Sequence, residues 1–241
     1  MQASIRFNRT VASAMVSAIA TTTAILPLAM PTLASEPEFE PIATQEGTVQ
    51  IAQWITPDAG SISADSYHNE YFGFTISFPE GWAIASQEAQ DQVMDLGTDV
   101  LAANNPELAE AATASLASTY QLLMISEQPL GSPDVTFNPS LMVMAENVTA
   151  APHIITGADY LRELQTSLAQ SGLPYRSIGN IYAVELDGRT FYRSDYVLGD
   201  AIKQSYLATV DQGYTIGMIL SGLPQQFEVL DGIVNSTSFD N

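Results

Sequence analysis

Between residues 181 and 221 the chain offers four β-type runs in close succession, separated by nothing longer than a turn. Residues 181–186 stop at Asp187-Gly188, a pair suited to the positive φ that both central positions of a type I′ turn require. Residues 190–198 lead through Gly199-Asp200 to residues 202–210, and Asp211-Gln212-Gly213 leads on to residues 214–221. Connections this short join antiparallel neighbours, because a parallel pair needs a crossover of about a dozen residues or more. This stretch is therefore expected to be an antiparallel meander. In its third run Ile202, Gln204, Tyr206, Ala208 and Val210 share one face, and Lys203, Ser205, Leu207 and Thr209 share the other.

Upstream, Phe74, Ile76 and Phe78 alternate with Thr75 and Ser77, Pro79-Glu80-Gly81 reads as a turn, and Trp82 and Ile84 resume the pattern. A first helix is expected from Asn105 as N-cap, with Pro106 at the first helical position and Glu107 and Glu110 near its positive end, running to about residue 118. Residues 121–126 and 141–145 are apolar without interruption, the pattern of strands covered on both faces. Between them lies a loop with Pro129, Pro133 and Pro139. Thr156 and Asp159 are spaced as a capping box ahead of Leu161, Leu164 and Leu168, and Gly172 and Pro174 end that second helix. A last helix, 224–235, places Phe227, Leu230 and Val234 on one side. Strands in a largely antiparallel sheet with helices laid on it make an α+β domain over residues 66–241.

Three stretches carry a family resemblance: YHNEYFGFTISFPEGW (67–82), TGADYLRELQTSL (156–168), and DGRTFYRSDYVLGDAIKQSYLATVDQGYTIGMILSG (187–222) with the later NSTSF. Together they resemble the PsbP-like family over residues 66–241. Its relatives include the photosystem II extrinsic subunit P, envelope lipoproteins and a Ran-release factor of nuclear import. The resemblance implies an α-β-α sandwich around a central antiparallel sheet. It also implies that aromatic-Gly-Phe with Phe-Pro-x-Gly-Trp builds the first hairpin. It implies no single function and carries over no functional residue. Many bacterial relatives are lipoproteins, whereas this chain has no cysteine. The metal-linked histidines and acids of photosystem binding have no counterpart here.

The N-terminus reads as an export signal over residues 1–34, with Arg6 and Arg9 ahead of an apolar stretch and Thr32-Leu33-Ala34 as the cleavage site before Ser35. An uncleaved membrane anchor is the competing reading; Thr21, Thr22, Thr23, Pro27 and Pro31 weigh against it. Export places the protein in a periplasm, a thylakoid lumen or the extracellular space. Residues 35–65 read as a flexible linker, rich in Pro, Ser and Ala. Within it Val49-Gln50-Ile51-Ala52-Gln53-Trp54-Ile55 alternates as a short strand or docking segment would. With no cysteine there is no lipid attachment at the cleavage site, no disulfide and no thiolate nucleophile, so the core must hold the domain unaided.

The leader holds two of the seven basic residues and none of the 27 acidic ones, so the exported chain carries a net −22 against −20 for the whole sequence. Arg162, Arg176, Arg189, Arg193 and Lys203 are its basic residues. Such a surface repels nucleic acid and anionic lipid and favours a cationic partner, divalent ions or a saline medium, against the plainer reading that the charge only keeps an exported protein in solution.

For chemistry the chain offers little. It contains no Gly-x-Ser-x-Gly, Ser-x-x-Lys, His-Glu-x-x-His or glycine-rich phosphate loop. Two histidines, His68 and His153, exclude a His-rich metal site and read as surface or hydrogen-bonding residues. Absence of EF-hand spacing leaves weak surface binding of divalent cations. Asp187 with Arg189, and Arg193 with Asp195 and Asp200, are the candidates for a polar site at one sheet end, against turn chemistry and cross-strand pairing as the plainer reading. Tyr192, Tyr196, Tyr206, Tyr214, Trp82 and Phe74 read as core or cross-strand pairs rather than a ligand platform. Asn147-Val148-Thr149 and Asn235-Ser236-Thr237 match glycosylation sequons, a short pattern that arises by chance. No catalytic, cofactor-binding or metal-binding residue and no cofactor is assigned. The reading is an exported, non-catalytic binding or accessory protein with a protein partner. The alternative is an envelope hydrolase using carboxylates with or without a divalent ion, which would need two acids converging beside His68 or His153.

Overall fold

The computed structural model describes residues 57–240 except 134 and 136. Readings that fall before residue 57, namely the leader, its cleavage site and the 49–55 segment, lie outside the described residues.

The meander forms as its turns dictate. Strands β7 (Tyr175–Leu186), β8 (Arg189–Leu198), β9 (Ile202–Asp211) and β10 (Tyr214–Gly222) follow one another as antiparallel neighbours. Asp187 (φ 46°) and Gly188 (φ 77°) close the first hairpin, and Gln212 (φ 50°) and Gly213 (φ 82°) close the last, each with both central residues left-handed. The sheet then extends through β6 (Ser140–Asn147), β5 (Thr119–Ser126) and the short β4 (Ala83–Ile84) to a seven-stranded order β4-β5-β6-β10-β9-β8-β7.

Its central strands are buried on both faces. In β6, Met142 and Met144 join the core on one side, while Leu141, Val143 and Ala145 join the core on the other. Three helices cover the first side: α1 (Gln87–Asn104), α2 (Pro106–Leu116) and α3 (Gly157–Gln170). The capping box of α3 is present, with the Asp159 N–H donating to Thr156 Oγ1 and the Thr156 N–H to the Asp159 carboxylate. Gly157, at its first turn, lies so close to β9 that a Cβ there would fall 1.9 Å from the Ala208 carbonyl oxygen. Only a residue without a side chain lets α3 start on the sheet.

The second side is covered by α4 (Phe227–Asn235), preceded by a 3₁₀ turn at Pro224–Gln226, together with a four-stranded sheet in the order β1-β2-β3-β11. Those strands are β1 (Ser61–Ile62), β2 (Ser66–Asn69), β3 (Phe74–Ser77) and β11 (Ser238–Phe239). The α+β class is as expected from the sequence. Helices on both faces give the expected α-β-α layering, and on this side the small sheet shares the cover with α4.

Four expectations change. The helix expected at Asn105 is present as α2, with the Leu108 N–H donating to Asn105 Oδ1 at 3.1 Å, but α1 precedes it unforeseen. Its buried stripe is Gln90, Val93, Met94, Gly97 and Leu101, where a glutamine and a glycine dilute the apolar period. Asn105 serves both helices, its own N–H closing α1 on the Leu101 carbonyl at 2.6 Å. The Phe-Pro-x-Gly-Trp motif is not half of a hairpin: β3 and β4 belong to different sheets, and β3 pairs instead with β2 in a hairpin around Gly73 (φ 60°). Strand β7 begins at Tyr175 rather than at residue 181, because a bulge between Ile178 and Tyr182, with Gly179 at φ 74°, breaks its alternation. Finally, the end of the expected linker is paired: Ser61 and Ile62 face His68 and Tyr67 in register. No helix among the described residues is long and apolar enough to cross a membrane.

Candidate functional site

The polar residues of β8 do come together. Arg193 and Asp195 are two apart on one strand and so point to the same face, and Ser205 of β9 stands opposite Asp195 in register. Arg193 donates through Nε to Asp195 Oδ1 at 3.1 Å, through Nη1 to Asp231 Oδ1 on α4 at 2.6 Å, and through Nη2 to Ser205 Oγ at 2.9 Å. The Ser205 hydroxyl donates to Asp195 Oδ1. Tyr182, exposed on β7, donates to Asp195 Oδ2 at 2.9 Å.

Burial would raise the Asp195 carboxyl, but the Ser205 hydroxyl and the Arg193 charge outweigh it and hold the group below the usual carboxylate range. Burial works against the Arg193 charge in turn, and the Asp231 and Asp195 carboxylates overcome it and push the guanidinium up. Burial first, and then donation to Asp195, push the Tyr182 phenol up to about 12. A general base works best with a pKa near the working pH, and Asp195 is shifted the other way with both oxygens already accepting. This cluster binds α4 to the sheet; it is not poised for proton transfer.

The other candidates separate from it. Asp200 lies exposed in the β8–β9 turn. Asp187 accepts from the Phe239 N–H at 2.8 Å, joining the large sheet to β11. Arg189 pairs with Asp211 at 2.8 Å and lies over the Phe239 ring, 3.9 Å from its centroid. The turn and pairing chemistry expected for these residues is what they do.

His68 shares a hydrogen bond with Thr75 Oγ1 at 3.0 Å across β2 and β3. His153 is exposed, with Glu163 at 3.7 Å. Neither is brought beside a pair of converging acids among the described residues, and no group there of three or more His, Asp or Glu could hold a metal ion. Both sequons are engaged locally. Asn147 accepts from the Thr149 N–H and hydroxyl at 3.0 and 2.6 Å, and Ser236 ties the end of α4 to Ser77.

Tyr196 and Tyr206 stack edge to face at 5.4 Å, and Tyr206 donates to Gln204 Oε1 at 2.9 Å inside the helix-covered core. Burial pushes both phenols up. Tyr214 meets Tyr71, Phe72 and Tyr120 at the other core, and Phe74 is fully buried. Trp82 is only half-buried. Tyr192 packs partly buried beside an open cleft of about 400 Å³ lined by Arg162, Gln165 and Asn180.

Asp231 and Glu146 escaped the sequence reading altogether. Glu146, the second-last residue of β6, is fully buried and accepts from Ser115 Oγ and the Tyr160 phenol, both at 2.6 Å. A charged residue ending the apolar run 141–145 was its signal. Its partners come from α2 and α3, which no local pattern connects.

No family model matches the chain, and no curated protein is found similar to it. Among solved structures it is similar to cyanobacterial PsbP (CyanoP) from Synechocystis sp. PCC 6803, at 16% identity and TM-score 0.45, over 77% of this chain and 99% of that one. It is also similar to LpqN of Mycobacterium tuberculosis, involved in cell envelope biogenesis, at 14% identity and TM-score 0.40, over 77% and 90% of the two chains. A protein of unknown function from Pseudomonas aeruginosa, PA94, follows at 15% identity and TM-score 0.34, over 49% and 78%. CyanoP belongs to the family that the sequence motifs resemble. Likenesses at this level leave function to be argued from the chain's own residues.

Proposed function

We propose that this protein is an exported, non-catalytic accessory module that holds a protein partner through the outer edge of β7. The observation that carries the reading is the state of that edge. β7 is the outermost strand of the seven, most of its length is exposed, and Ile178 (46%) and Tyr182 (43%) stand open to solvent. The arginine and carboxylates that chemistry would need are meanwhile engaged with one another behind it. The bulge with Gly179 interrupts plain strand-to-strand stacking, so recognition falls to side chains and to the short segments on either side. An excess of 27 acidic over seven basic residues favours a basic partner face and makes association sensitive to salt. Export rests on the N-terminal leader pattern.

Affinity capture of the tagged protein from its own organism, at low and at moderate salt, tests the reading. A partner that is retained by the native protein and lost with Ile178→Lys supports it. Equal capture by both forms would move the interface elsewhere, and recovery of the protein without any partner at either salt would sink the accessory reading.

A further inference from the structure

Beside the open edge of β7, the bulge and helix α3 border a cleft of about 400 Å³. Ala158, Arg162 and Gln165 bring one face of α3 to it, β7 brings Asn180 and Ile181, and β8 brings Tyr192. Consecutive residues of a regular strand point to opposite faces, yet Asn180 and Ile181 both line this one cleft. The bulge accounts for it. Ile178 pairs with Asp195 and Tyr182 with Arg193, so Gly179, Asn180 and Ile181 stand against Ser194 alone, and the strand is re-aimed where it borders α3.

The polar groups of the cleft are uncommitted, unlike those behind β7. The carboxamides of Gln165 and Asn180 and the Tyr192 hydroxyl make no hydrogen bond among the described residues. Gln165 and Asn180 are exposed, while Tyr192 and Ile181 pack partly buried against the helix-covered core and give the cleft an apolar floor. Its one charge is Arg162, whose Nη1 already lies 2.5 Å from Asp159 Oδ1. No carboxylate lines it, in a chain with 27 acidic residues. A charged group entering here finds no uncompensated charge to pair with and loses hydration, which disfavours either sign. Two carboxamides match a neutral group that both donates and accepts, since each offers N–H donors and a carbonyl oxygen. The backbone of an extended peptide is such a group at nearly every residue.

Resting on the reading of β7 as the partner edge, we propose that this cleft seats an uncharged, extended segment of the partner chain. Gln165 and Asn180 hydrogen-bond the backbone of that segment, and one aliphatic or aromatic side chain lies on Tyr192 and Ile181. Continuity with the edge decides the occupant: Asn180 belongs to the outermost strand, between the exposed Ile178 and Tyr182, so a chain held there crosses the bulge into the cleft. The salt-sensitive contact and this neutral one are then neighbours on one surface, the first drawing the partner in and the second selecting its sequence.

Amide chemical shifts of the full exported protein, titrated with capped pentapeptides acetyl-Ala-Ala-Xaa-Ala-Ala-amide, are the direct test. With tyrosine at Xaa, the Gln165, Asn180 and Ile181 signals should move saturably with a Kd below about 10 mM, and peptides with lysine or glutamate at Xaa should bind at least about fivefold more weakly. Combining Gln165→Ala with Asn180→Ala, both exposed, should leave the unfolding midpoint unchanged and weaken the tyrosine peptide about fivefold, whereas Ile178→Lys should leave its affinity unchanged. No saturable shift, equal affinity for the charged peptides, or equal binding by the double variant overturns the proposal. The two readings fail separately. Loss of a captured partner with Ile178→Lys while none of the peptides binds keeps β7 as the edge and removes the cleft; saturable peptide binding by a protein that captures no partner removes the β7 reading and keeps the cleft as a peptide site.

Discussion

The two faces of the seven-stranded sheet are buried to the same depth by different means. Under α1, α2 and α3 the core is aliphatic and methionine-rich and holds polar groups at its centre: Glu146 and Gln204 fully buried, Tyr160 and Tyr206 nearly so. Under α4 and the small sheet the core adds a cluster of rings to its aliphatic side chains, with Phe74 lying 5.8 Å from Tyr67, 6.5 Å from Phe72 and 6.3 Å from Phe239. Charge enters this second face at its margin, where Arg193 reaches Asp231 and where Arg189 and Lys203 lie over the Phe239 and Phe227 rings. The helices deliver hydroxyls from Ser115 and Tyr160 to a carboxylate in mid-sheet, which makes a buried polar group tolerable. A covering sheet delivers flat faces and little that can satisfy a charge.

Substitutions break the comparison where the faces differ most. On the aromatic face Phe74→Ala is expected to cost about 3–5 kcal/mol, and on the helical face Leu164→Ala about 2–5, both by chemical denaturation. Each side chain is fully buried. Trp82→Ala should cost less than either, since Trp82 is half-buried; parity with Leu164→Ala would show it to be a core residue after all. Arg193→Met leaves Asp195 and Asp231 without their cation and should cost about 3 kcal/mol, while an unchanged unfolding midpoint would remove the network from the account of α4.

A smaller effect sharpens the picture of the helical face. Tyr160→Phe takes one donor from the buried Glu146 and should cost about 1–3 kcal/mol, with no change expected in the hydrogen exchange of β11 on the far side. Smallest is the cap of α3, where Thr156→Ala should cost about 1 kcal/mol at neutral pH. The Thr156 hydroxyl, with Arg162 and two backbone N–H groups, holds the Asp159 carboxyl down at about 2 against a lesser rise from burial. Its folded pKa lies below the unfolded one, so this contribution is present above the ordinary carboxylate range and is lost as pH falls through about 2. The gap between native and Thr156→Ala proteins in urea should therefore narrow from pH 4 downward; a constant gap would assign the cap to geometry rather than charge.

Legibility followed the range of the interaction. Capping of α3 by Thr156 and Asp159, of α2 by Asn105, and the two left-handed hairpins at Asp187-Gly188 and Gln212-Gly213 are settled within a few residues, and each was readable. Helix α1 was not, because its stripe includes Gln90 and Gly97, whose burial depends on what packs over them. The start of β7 was hidden by a bulge whose two extra residues make sense only against β8.

The same division holds for the polar groups. Sequence placed Arg193 and Asp195 on one face of one strand, since side chains two apart in a strand must share it. Asp231, thirty-eight residues downstream on α4, joins them only because that helix folds back over the sheet. Glu146 with Ser115 and Tyr160 is a further case, three residues from three elements meeting in the core. By itself the sequence determined the antiparallel meander, the α+β class and the scarcity of catalytic groups, all consequences of local backbone chemistry and residue type. The tertiary structure decided which polar groups meet, that a small sheet shares one face with α4, and which edges of the large sheet stay open, because those depend on packing between segments far apart along the chain.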